Sequence, residues 1–474
     1  MLDINLIREN PALVKERLAK LNDPEALPRI DRILELDQQR RAVIKESETL
    51  QAQRNRLNKA LGQTRGAKNL PTEVTAARVY STKRALETND LAQAVDLLEG
   101  KHDATLATDA VGDLGAGYEA LNTTMRQIGE QHAQLDERVK ALDIELREEM
   151  IWVPNMPHDS TPVADSDDHN IPWEPEGQKR HFEFTPKAHW DLGPELGIID
   201  FERGVRMSGT RFYVLKGWGA RLQRALASLF LDMARAKGFE ELYVPFLVQE
   251  AMMEGAGQFP KFRDVVYNDA DADLYLLPTA EVAITNMHRD EILDEKDLPK
   301  YYVAQTPCFR REKSSAGRDV RGIKRVHQFE KVEMYKFTTP ETSYAELEAL
   351  VEAAADIARA LEIPFRRLEI VTGDLGFSAT KKYDLEMYAP GCDEWLEVSS
   401  CSNTEDFQAR RAMVRYRTKE GKKTQYVHTL NGSALALPRV IIAILENYQQ
   451  ADGSVVIPTV LRPYLGGEEV IRKS

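Results

Sequence analysis

Two series of apolar residues spaced seven apart occupy the first third of the chain and constrain its fold more than any other feature. Heptad spacing lines such residues along one face of a helix and favours the packing of two helices along a seam. The pattern predicts an antiparallel coiled-coil hairpin with helices at about 30–61 and 114–150. Two amphipathic helices in the core of a bundle are the alternative. The series are Leu36, Val43, Leu50 and Leu57, then Leu114, Leu121, Ile128, Leu135 and Leu142, the second joined by Tyr118, Met125, Val139 and Leu146.

The segment at 69–113 continues neither series, and we interpret it as an insertion at the tip of the hairpin. Glycine and proline at 62–71 indicate a turn, and helical patterns follow, as at 90–98. Between residues 69 and 128 nine acidic side chains stand against five basic ones, which makes this segment a poor binder of phosphate. A passive spacer and an element that docks a partner are both compatible with the pattern.

Beyond the second series the composition changes twice. Residues 143–176 contain ten acidic side chains, one basic side chain and five prolines, which predicts an acidic linker between domains, placed at 151–180. From 181 to 474 short β-like runs alternate with helical patterns, and the strands outnumber the helices. This arrangement predicts an α+β domain around a mainly antiparallel sheet.

The charge of the chain is distributed unevenly. With 63 Lys and Arg against 76 Asp and Glu, the net charge is −13, which by itself disfavours a nucleic-acid partner. Residues 40–68, however, hold eight basic and two acidic side chains, and residues 308–325 hold seven basic and two acidic ones. The net charge therefore describes solubility, while the two basic segments are candidates for binding phosphates.

Three features predict a cytoplasmic protein without a membrane span. No run approaches the roughly 18 apolar residues of a spanning helix, and acidic residues within the first ten argue against a signal peptide. The three cysteines, Cys308, Cys392 and Cys401, form no Cys-x-x-Cys pair and no disulfide framework, which indicates a reducing compartment.

Three segments of the C-terminal part carry residues suited to a nucleoside triphosphate. Segment 308–329 is a predicted hairpin with arginines at its strand ends, and arginine forks bind phosphate oxygens in bidentate fashion. Segment 397–403 places a carboxylate and hydroxyls at a strand end, as a divalent cation on phosphates requires. Segment 431–439 leads from a turn of small residues into a helix with Arg439, which can reach a terminal phosphate. For the first segment alone, a solvated basic loop is the alternative.

In this order and spacing the three segments resemble the signature motifs of class II aminoacyl-tRNA synthetases, and the chain is most similar to bacterial-type seryl-tRNA synthetases. Residues 238–245, 309–329 and 432–439 resemble motifs 1, 2 and 3, and 278–281 resembles the serine-binding loop. The resemblance covers essentially the whole chain apart from the insertion. It implies a helical tRNA-binding arm at 1–150, followed by a class II catalytic and dimerisation domain at 181–474.

The resemblance also implies roles for individual residues. The implied catalytic residues are Arg310, Glu397 and Arg439, and the implied Mg²⁺ ligands are Glu397 and Ser400. The residues implied to bind serine are Thr279, Ala280, Glu281, Glu333, Asn431 and Ser433. The residues implied to bind ATP are Arg310, Arg311, Glu312, Arg325, Val326, Glu397, Val398, Ser399, Ser400 and Arg439. In the basic stripe of the arm, the residues expected to bind tRNA are Arg40, Arg41, Lys45, Arg54, Arg56 and Lys59.

The function implied by the resemblance is that of a homodimeric ligase. It would activate L-serine with ATP and Mg²⁺ and transfer the serine to tRNA(Ser), and to tRNA(Sec) where the host has one. No zinc is expected, because the sequence shows no local Cys/His cluster. Thr404 stands where the family usually has cysteine, a departure that bears on fine selectivity. A catalytically silent paralogue that serves as a tRNA-binding module is the alternative function, and a ligase for a carrier protein, which would lack the long arm, is a second.

Overall fold

The computed structural model describes residues 1–66, 70–88, 90–102, 104, 114–313, 321–419 and 423–473. The chain divides into two compact units, Met1–Ile30 with Ile151–Ser474, called the catalytic unit below, and Asp31–Met150, called the arm. The α-helices of the described residues are α1 Ile4–Glu9, α2 Pro11–Leu18, α3 Ala26–Gly66, α4 Thr72–Glu87, α5 Leu91–Glu99, α6 Leu114–Trp152, α7 His189–Glu195, α8 Phe201–Ser208, α9 Trp218–Ala236, α10 Glu250–Gly255, α11 Glu281–Thr285, α12 Ser343–Ala360, α13 Phe407–Ala412 and α14 Leu437–Asn447. The β-strands of the described residues are β1 Ile171–Pro172, β2 Ile199–Asp200, β3 Val214–Leu215, β4 Glu240–Leu242, β5 Leu247–Val248, β6 Tyr275–Leu276, β7 Ile292–Asp294, β8 Lys300–Phe309, β9 Gln328–Thr338, β10 Phe365–Glu369, β11 Lys381–Ala389, β12 Glu394–Asn403, β13 Arg415–Arg417, β14 Thr424–Tyr426, β15 His428–Ala436, β16 Val455–Val456 and β17 Val470–Ile471. No helix within these ranges combines the length and the apolarity that crossing a membrane requires.

The long helices α3 and α6 form an antiparallel hairpin in the arm. Arg32 donates to Glu145 at 3.2 Å and Ser47 donates to Asp136 at 3.0 Å. Later residues of α3 therefore contact earlier residues of α6, as antiparallel helices require. Apolar heptad residues fill the seam between the helices, as the spacing predicts. They form two clusters, one with Leu36, Val43 and Leu142 and the other with Leu57, Leu121 and Ile128.

Part of the predicted insertion forms the two helices α4 and α5. Their apolar residues Val79, Val95 and Leu98 share a hydrophobic cluster with Leu57 of α3, so burial of apolar surface holds these helices on the hairpin. The Asp90 side chain caps α5 by accepting a hydrogen bond from the Gln93 backbone N–H. Residues 67–69 and 105–113 of the predicted turn and insertion, with Lys68 of the basic stripe, lie outside the described residues.

The catalytic unit is built on an eight-stranded sheet with the order β1, β10, β11, β12, β15, β9, β8 and β4. Neighbouring strands in the described sheet are antiparallel apart from the parallel edge pair of β4 and β8. Helices α9, α12 and α14 contribute to the main hydrophobic core with these strands. The α+β fold with a mainly antiparallel sheet, preceded in sequence by a helical hairpin, is confirmed.

Residues 151–180, predicted as a linker, are hydrogen-bonded to the rest of the catalytic unit. Asn155 Nδ2 donates to the carbonyl oxygens of Ser378 at 2.9 Å and Thr404 at 2.8 Å. Thr161 Oγ1 donates to a third backbone carbonyl at 2.8 Å, and β1 pairs with β10 at the edge of the sheet. These bonds fix the course of the segment, and the predicted domain boundaries stay predictions.

Candidate active site

A cavity of about 500 Å³ in the catalytic unit brings together most of the residues that the sequence singled out. Its wall draws on β9, β12 and β15, on the start of α14 and on the segments that follow β6 and β8. The predicted site residues in the wall are Thr279, Glu281, Arg310, Glu312, Arg325, Val326, Glu397, Val398, Ser399, Ser400, Asn431, Ser433 and Arg439. Segments more than 100 residues apart in the chain therefore meet at one place.

A β-bulge in β12 brings Glu397 and Ser400 to the same face of the strand. Leu385 of β11 pairs with Ser399, and the next residue pairs with Glu397, which leaves Val398 without a partner of its own. Strict alternation would put Glu397 and Ser399 on one face of the strand and Ser400 on the other. The extra residue shifts the alternation and puts Glu397 and Ser400 on the same face of β12, while Val398 borders the cavity and is also part of the core.

A network of polar side chains surrounds Thr279. Lys331 Nζ donates to Thr279 Oγ1 at 2.9 Å and forms an ion pair with Glu333 Oε2 at 2.5 Å. Ser433 Oγ donates to the same carboxylate oxygen at 3.3 Å. Among the described residues Glu333 Oε1 is buried and has no hydrogen-bond partner. A buried acceptor without a partner is costly. The contacts of Lys331 and Ser433 with the other oxygen of Glu333 offset part of that cost.

Glu281 is the second buried carboxylate of this network and begins α11. Burial, followed by the nearby Glu333 carboxylate, raises the pKa of Glu281 to about 7, although Lys331 and Arg310 act in the opposite direction. Gln408 Nε2 donates to Glu281 Oε1 at 2.6 Å. Two carboxylates that repel each other in a buried pocket form a site for a small ligand with a positive charge.

Two arginines enter the cavity from different parts of the motifs. Arg310 directly follows β8, and its Nε donates to the Pro278 carbonyl oxygen at 3.3 Å. Arg439 lies in the first turn of α14, and its Nη1 donates to the Glu397 carbonyl oxygen at 2.6 Å. The cationic side chains of the wall are Arg310, Lys324, Arg325, Lys331, Lys382 and Arg439. Such a concentration of positive charge suits a polyphosphate.

The Glu397 side of the cavity offers hard oxygen ligands next to these cations. Burial raises the pKa of Glu397, but Arg439, Lys382 and Arg310 outweigh it and hold this pKa below its usual value, so the carboxylate is ionised at neutral pH. Ser400 adds a hydroxyl on the same face. A carboxylate and a hydroxyl beside a polyphosphate site are the donor set that Mg²⁺ prefers. The two residues named in the sequence therefore fit that ion.

Three of the predicted site residues are not part of the cavity wall. Arg311 packs its guanidinium 5.1 Å from the Tyr267 ring and reaches Asn268 Oδ1 at 3.5 Å, away from the cavity. Ala280 is fully buried immediately before α11. Glu333 lies behind the wall and acts on it through Lys331 and Ser433, as described above. Residues 314–320 of the motif 2 segment lie outside the described residues.

The structure adds polar residues to the site that the sequence did not single out. Lys331 lies two positions before Glu333 on β9, so the alternation of a strand places both on one face, and this signal could have identified it. Lys382 lines the cavity and lies 3.1 Å from Asp384. Gln408 belongs to the short helix α13, and no local motif marks it.

A second polar cluster joins the motif 2 segment to α14 outside the cavity. His189 Nε2 accepts a hydrogen bond from the Ile323 backbone N–H at 3.1 Å, so the neutral ring carries its proton on Nδ1 and donates it to Glu446 at 2.8 Å. Cys392 Sγ lies 3.1 Å from the same Glu446 oxygen, and burial raises the pKa of this thiol. In the described part of the chain these are the one group of His, Cys and acidic residues with metal-ligand spacing. Both ring nitrogens of His189 already take part in hydrogen bonds within the protein, which favours a structural role of the cluster over metal binding.

The residues expected to bind tRNA lie on α3 and differ in their surroundings. Lys45 and Lys59 are exposed. Arg40 and Arg41 form ion pairs with Asp143 and Asp37. Arg54 is half-buried, and its Nε is buried without a hydrogen-bond partner within the described residues. Arg56 pairs with Asp96 and Glu99 of α5 at 2.8 and 2.7 Å. Arg41 and Arg56 are exposed as well but are engaged in these ion pairs, which makes Lys45 and Lys59 the clearest members of the stripe to test.

Comparison with known families supports the same reading of both units. Residues 262–448 match the tRNA synthetase class II core domain (G, H, P, S and T), and residues 1–108 match the seryl-tRNA synthetase N-terminal domain. A serine–tRNA ligase of Roseiflexus sp. (strain RS-1) is 52% identical over 100% of both chains. That of Chloroflexus aurantiacus (strain ATCC 29366) is 48% identical over 99% of this chain and 100% of the relative. These alignments include the segment between the two long helices.

Solved structures resemble the chain over its whole length. Seryl-tRNA synthetase from Pyrococcus horikoshii, complexed with ATP, has a TM-score of 0.85 and 37% identity over 100% of both chains. Cytoplasmic serine–tRNA ligase from Naegleria fowleri, in complex with AMP, has a TM-score of 0.82 and 30% identity over 100% of this chain and 99% of that one. With its motifs gathered in one cavity and both domains matched, the chain belongs to the seryl-tRNA synthetase family of class II aminoacyl-tRNA synthetases.

Proposed function

We propose that this protein activates L-serine with ATP and transfers the serine to tRNA(Ser). The observation that carries the proposal is the single cavity in which a small acidic pocket adjoins a strongly cationic region. Glu281 and Ser433 line the pocket, with the buried Glu333 behind Ser433, and Arg310 and Arg439 line the cationic region. The relatives' names as serine–tRNA ligases and the ATP bound to the Pyrococcus enzyme support the same activity.

The acidic pocket is suited to the serine side of the reaction. Glu281 would hold the substrate ammonium, while Ser433, positioned by Glu333 behind it, would hydrogen-bond the substrate hydroxyl. Alanine would leave these buried groups without partners, and such a mismatch rejects a substrate by far more than the loss of apolar contact does. Asn431, whose Oδ1 accepts from Ser402 at 2.6 Å, and Thr279 would complete the pocket.

The cationic region is suited to the attack on ATP. A carboxylate oxygen of serine attacks the α-phosphorus, the bond to the pyrophosphate oxygen breaks, and seryl-adenylate forms. Arg310 would bind the α-phosphate and Arg439 the terminal phosphate, both held by backbone carbonyl oxygens before the substrate arrives. Glu397 and Ser400 would hold Mg²⁺, which neutralises phosphate charge when bound. Catalysis then rests on positioning and fixed charge, with no covalent nucleophile of the protein.

The second step uses the tRNA itself as the nucleophile. A hydroxyl of its terminal adenosine attacks the seryl carbonyl carbon, the bond to the adenylate oxygen breaks, and AMP leaves. The exposed lysines of α3 would bind phosphates of the tRNA, which makes binding salt-dependent. From the family we further propose a cytoplasmic homodimer that also accepts tRNA(Sec) where the host has one.

ATP–pyrophosphate exchange across the amino acids, with and without tRNA, tests the proposal. We expect exchange with serine and, at equal concentration, at least about 100-fold less with alanine, because alanine leaves buried polar groups unpaired. Exchange with serine also separates this function from that of a silent paralogue, which would bind tRNA and exchange nothing. Exchange with another amino acid in place of serine would contradict the proposal.

The binding of serine should weaken in mild acid. A protonated Glu281 loses its attraction for the substrate ammonium, and its pKa is raised to about 7 by burial and by Glu333. We expect KM for serine to rise about fivefold to tenfold between pH 7.5 and pH 6, with KM for ATP nearly constant. Because this pKa is raised, Glu281 stabilises the empty protein most at low pH, and the contribution is lost as pH rises through 7. The serine-induced increase in Tm should accordingly grow from pH 6 to pH 7.5, and a flat profile would exclude Glu281 as the ammonium partner.

A further inference from the structure

The amide of Gln408 lies behind the serine pocket, and its orientation is fixed by its hydrogen bonds. Its Nε2 donates to Glu281 Oε1 at 2.6 Å and to the Ala256 carbonyl oxygen at 3.0 Å. The side chain is fully buried on α13, far in sequence from the serine-binding loop. Both acceptors require the N–H side of the amide, so the flipped orientation would place the amide oxygen against two other oxygens.

The oxygen of the same amide is surrounded by hydroxyl donors. Tyr335 OH donates to Gln408 Oε1 at 2.7 Å, and Thr429 Oγ1 lies 2.9 Å from the same oxygen. Thr404 Oγ1 lies 3.3 Å from Gln408 Oε1 and 3.0 Å from the Thr429 carbonyl oxygen, which is its second acceptor. These contacts hold the amide from β9, β15 and the segment after β12. Thr404 stands where the family usually has cysteine. It contacts Gln408, which in turn contacts Glu281 of the serine pocket.

We propose that Gln408 is a positioning residue for serine recognition, which holds the Glu281 carboxylate in place and favours its charged form. The proposal rests on the function proposed above and extends it to a residue that does not touch the substrate. A hydrogen bond to a carboxylate stabilises the ionised form more than the neutral one. The charged groups that act on Glu281 are Glu333 and Lys331 on β9 and Arg310 after β8. Burial and the Glu333 carboxylate oppose the ionisation of Glu281, whereas the hydrogen bond from the Gln408 amide favours it.

The test is Gln408→Met in the full chain, which keeps the length of the side chain and removes both the donor and the acceptor. We expect KM for serine to rise about 10- to 100-fold, as for the loss of a hydrogen bond to a charged group. KM for ATP should stay within about twofold, because Gln408 does not line the cationic region. KM for serine rises as pH falls, and in the variant this rise should begin at a higher pH than in the unchanged protein. The reason is that Glu281 loses a hydrogen bond that favours its ionisation.

Gln449→Met is the matched control, because Gln449 is also a buried glutamine that bonds backbone groups on both sides of its amide. Its amide bonds Lys187 and Glu446, which do not line the cavity, so Gln449→Met should lower Tm as Gln408→Met does and leave the serine profile unchanged. Gln408→Glu is the second variant: a carboxylate facing Glu281 should raise KM for serine at pH 8 more than at pH 6. If both Gln408 variants keep the wild-type serine profile, the positioning role is wrong. If the unchanged protein shows no exchange with serine, the proposed function itself fails.

Discussion

Replacing Arg310 with alanine is expected to lower serine-dependent ATP–pyrophosphate exchange by about 100- to 1000-fold. Arg310 directly follows β8, and the bond from its Nε to the Pro278 carbonyl oxygen directs the guanidinium toward the cavity before ATP binds. A preorganised cation of this kind stabilises charge on the α-phosphate as the bond to pyrophosphate breaks. Arg310→Lys should recover only part of the loss, because an ammonium lacks the planar fork that binds two phosphate oxygens.

Arg311→Ala is the matched control for this experiment. The two arginines are neighbours in sequence, and both belong to the segment that resembles motif 2. The structure stacks Arg311 near the Tyr267 ring and leaves it out of the cavity wall, so we expect Arg311→Ala to keep exchange within about fivefold of the unchanged protein. Equal losses for the two variants would mean that Arg311 binds ATP as the sequence implied. Undiminished exchange by Arg310→Ala would overturn the assignment of the phosphate site.

The parts of the fold that the sequence predicted correctly are those with a short repeat or a compact motif. Heptads at seven-residue spacing give one apolar face whatever the rest of the chain does, so the hairpin of α3 and α6 could be predicted from residues such as Leu36 and Leu142. Likewise, Arg310, Glu397 and Arg439 each lie within a distinct motif, and all three line the cavity. Within each motif the local backbone fixes where the residues lie relative to one another, and the sheet then brings the separate motifs to one cavity.

The remainder depended on geometry that no local pattern encodes. The bulge at Val398 puts Glu397 and Ser400 on the same side of β12, against the alternation of a regular strand. Gln408 reaches the pocket because α13 packs behind it, and the sequence around Gln408 shows no sign of that neighbour. The pair of Arg310 and Arg311 shows the reverse case. Both follow the end of β8 at Phe309, yet Arg310 lines the cavity and Arg311 packs on Tyr267.

The arm of the protein should be needed for charging tRNA and dispensable for activating serine. Arg29 lies 5.3 Å from the Trp152 ring, so the two chain ends that border the arm lie close together within the catalytic unit. A short glycine and serine linker can therefore replace Asp31–Met150. We expect this variant to keep serine-dependent exchange within a few fold and to lose at least about 100-fold in aminoacylation, because phosphate contacts provide much of the affinity for a nucleic acid. Equal loss of both activities would show that the catalytic unit depends on the arm.

A full-chain variant distinguishes electrostatic binding by the arm from a purely structural role. Lys45 and Lys59 are exposed and lie two heptads apart, which puts them on one face of α3. We expect Lys45→Glu with Lys59→Glu to weaken tRNA binding by about tenfold or more at low salt and to reduce the slope of log affinity against log salt by about two, since each lost phosphate contact lowers the slope by nearly one. Exchange without tRNA should not change, and it reports on the fold of the catalytic unit in the same preparation. An unchanged slope would mean that these lysines face away from the tRNA and that its phosphates are bound elsewhere.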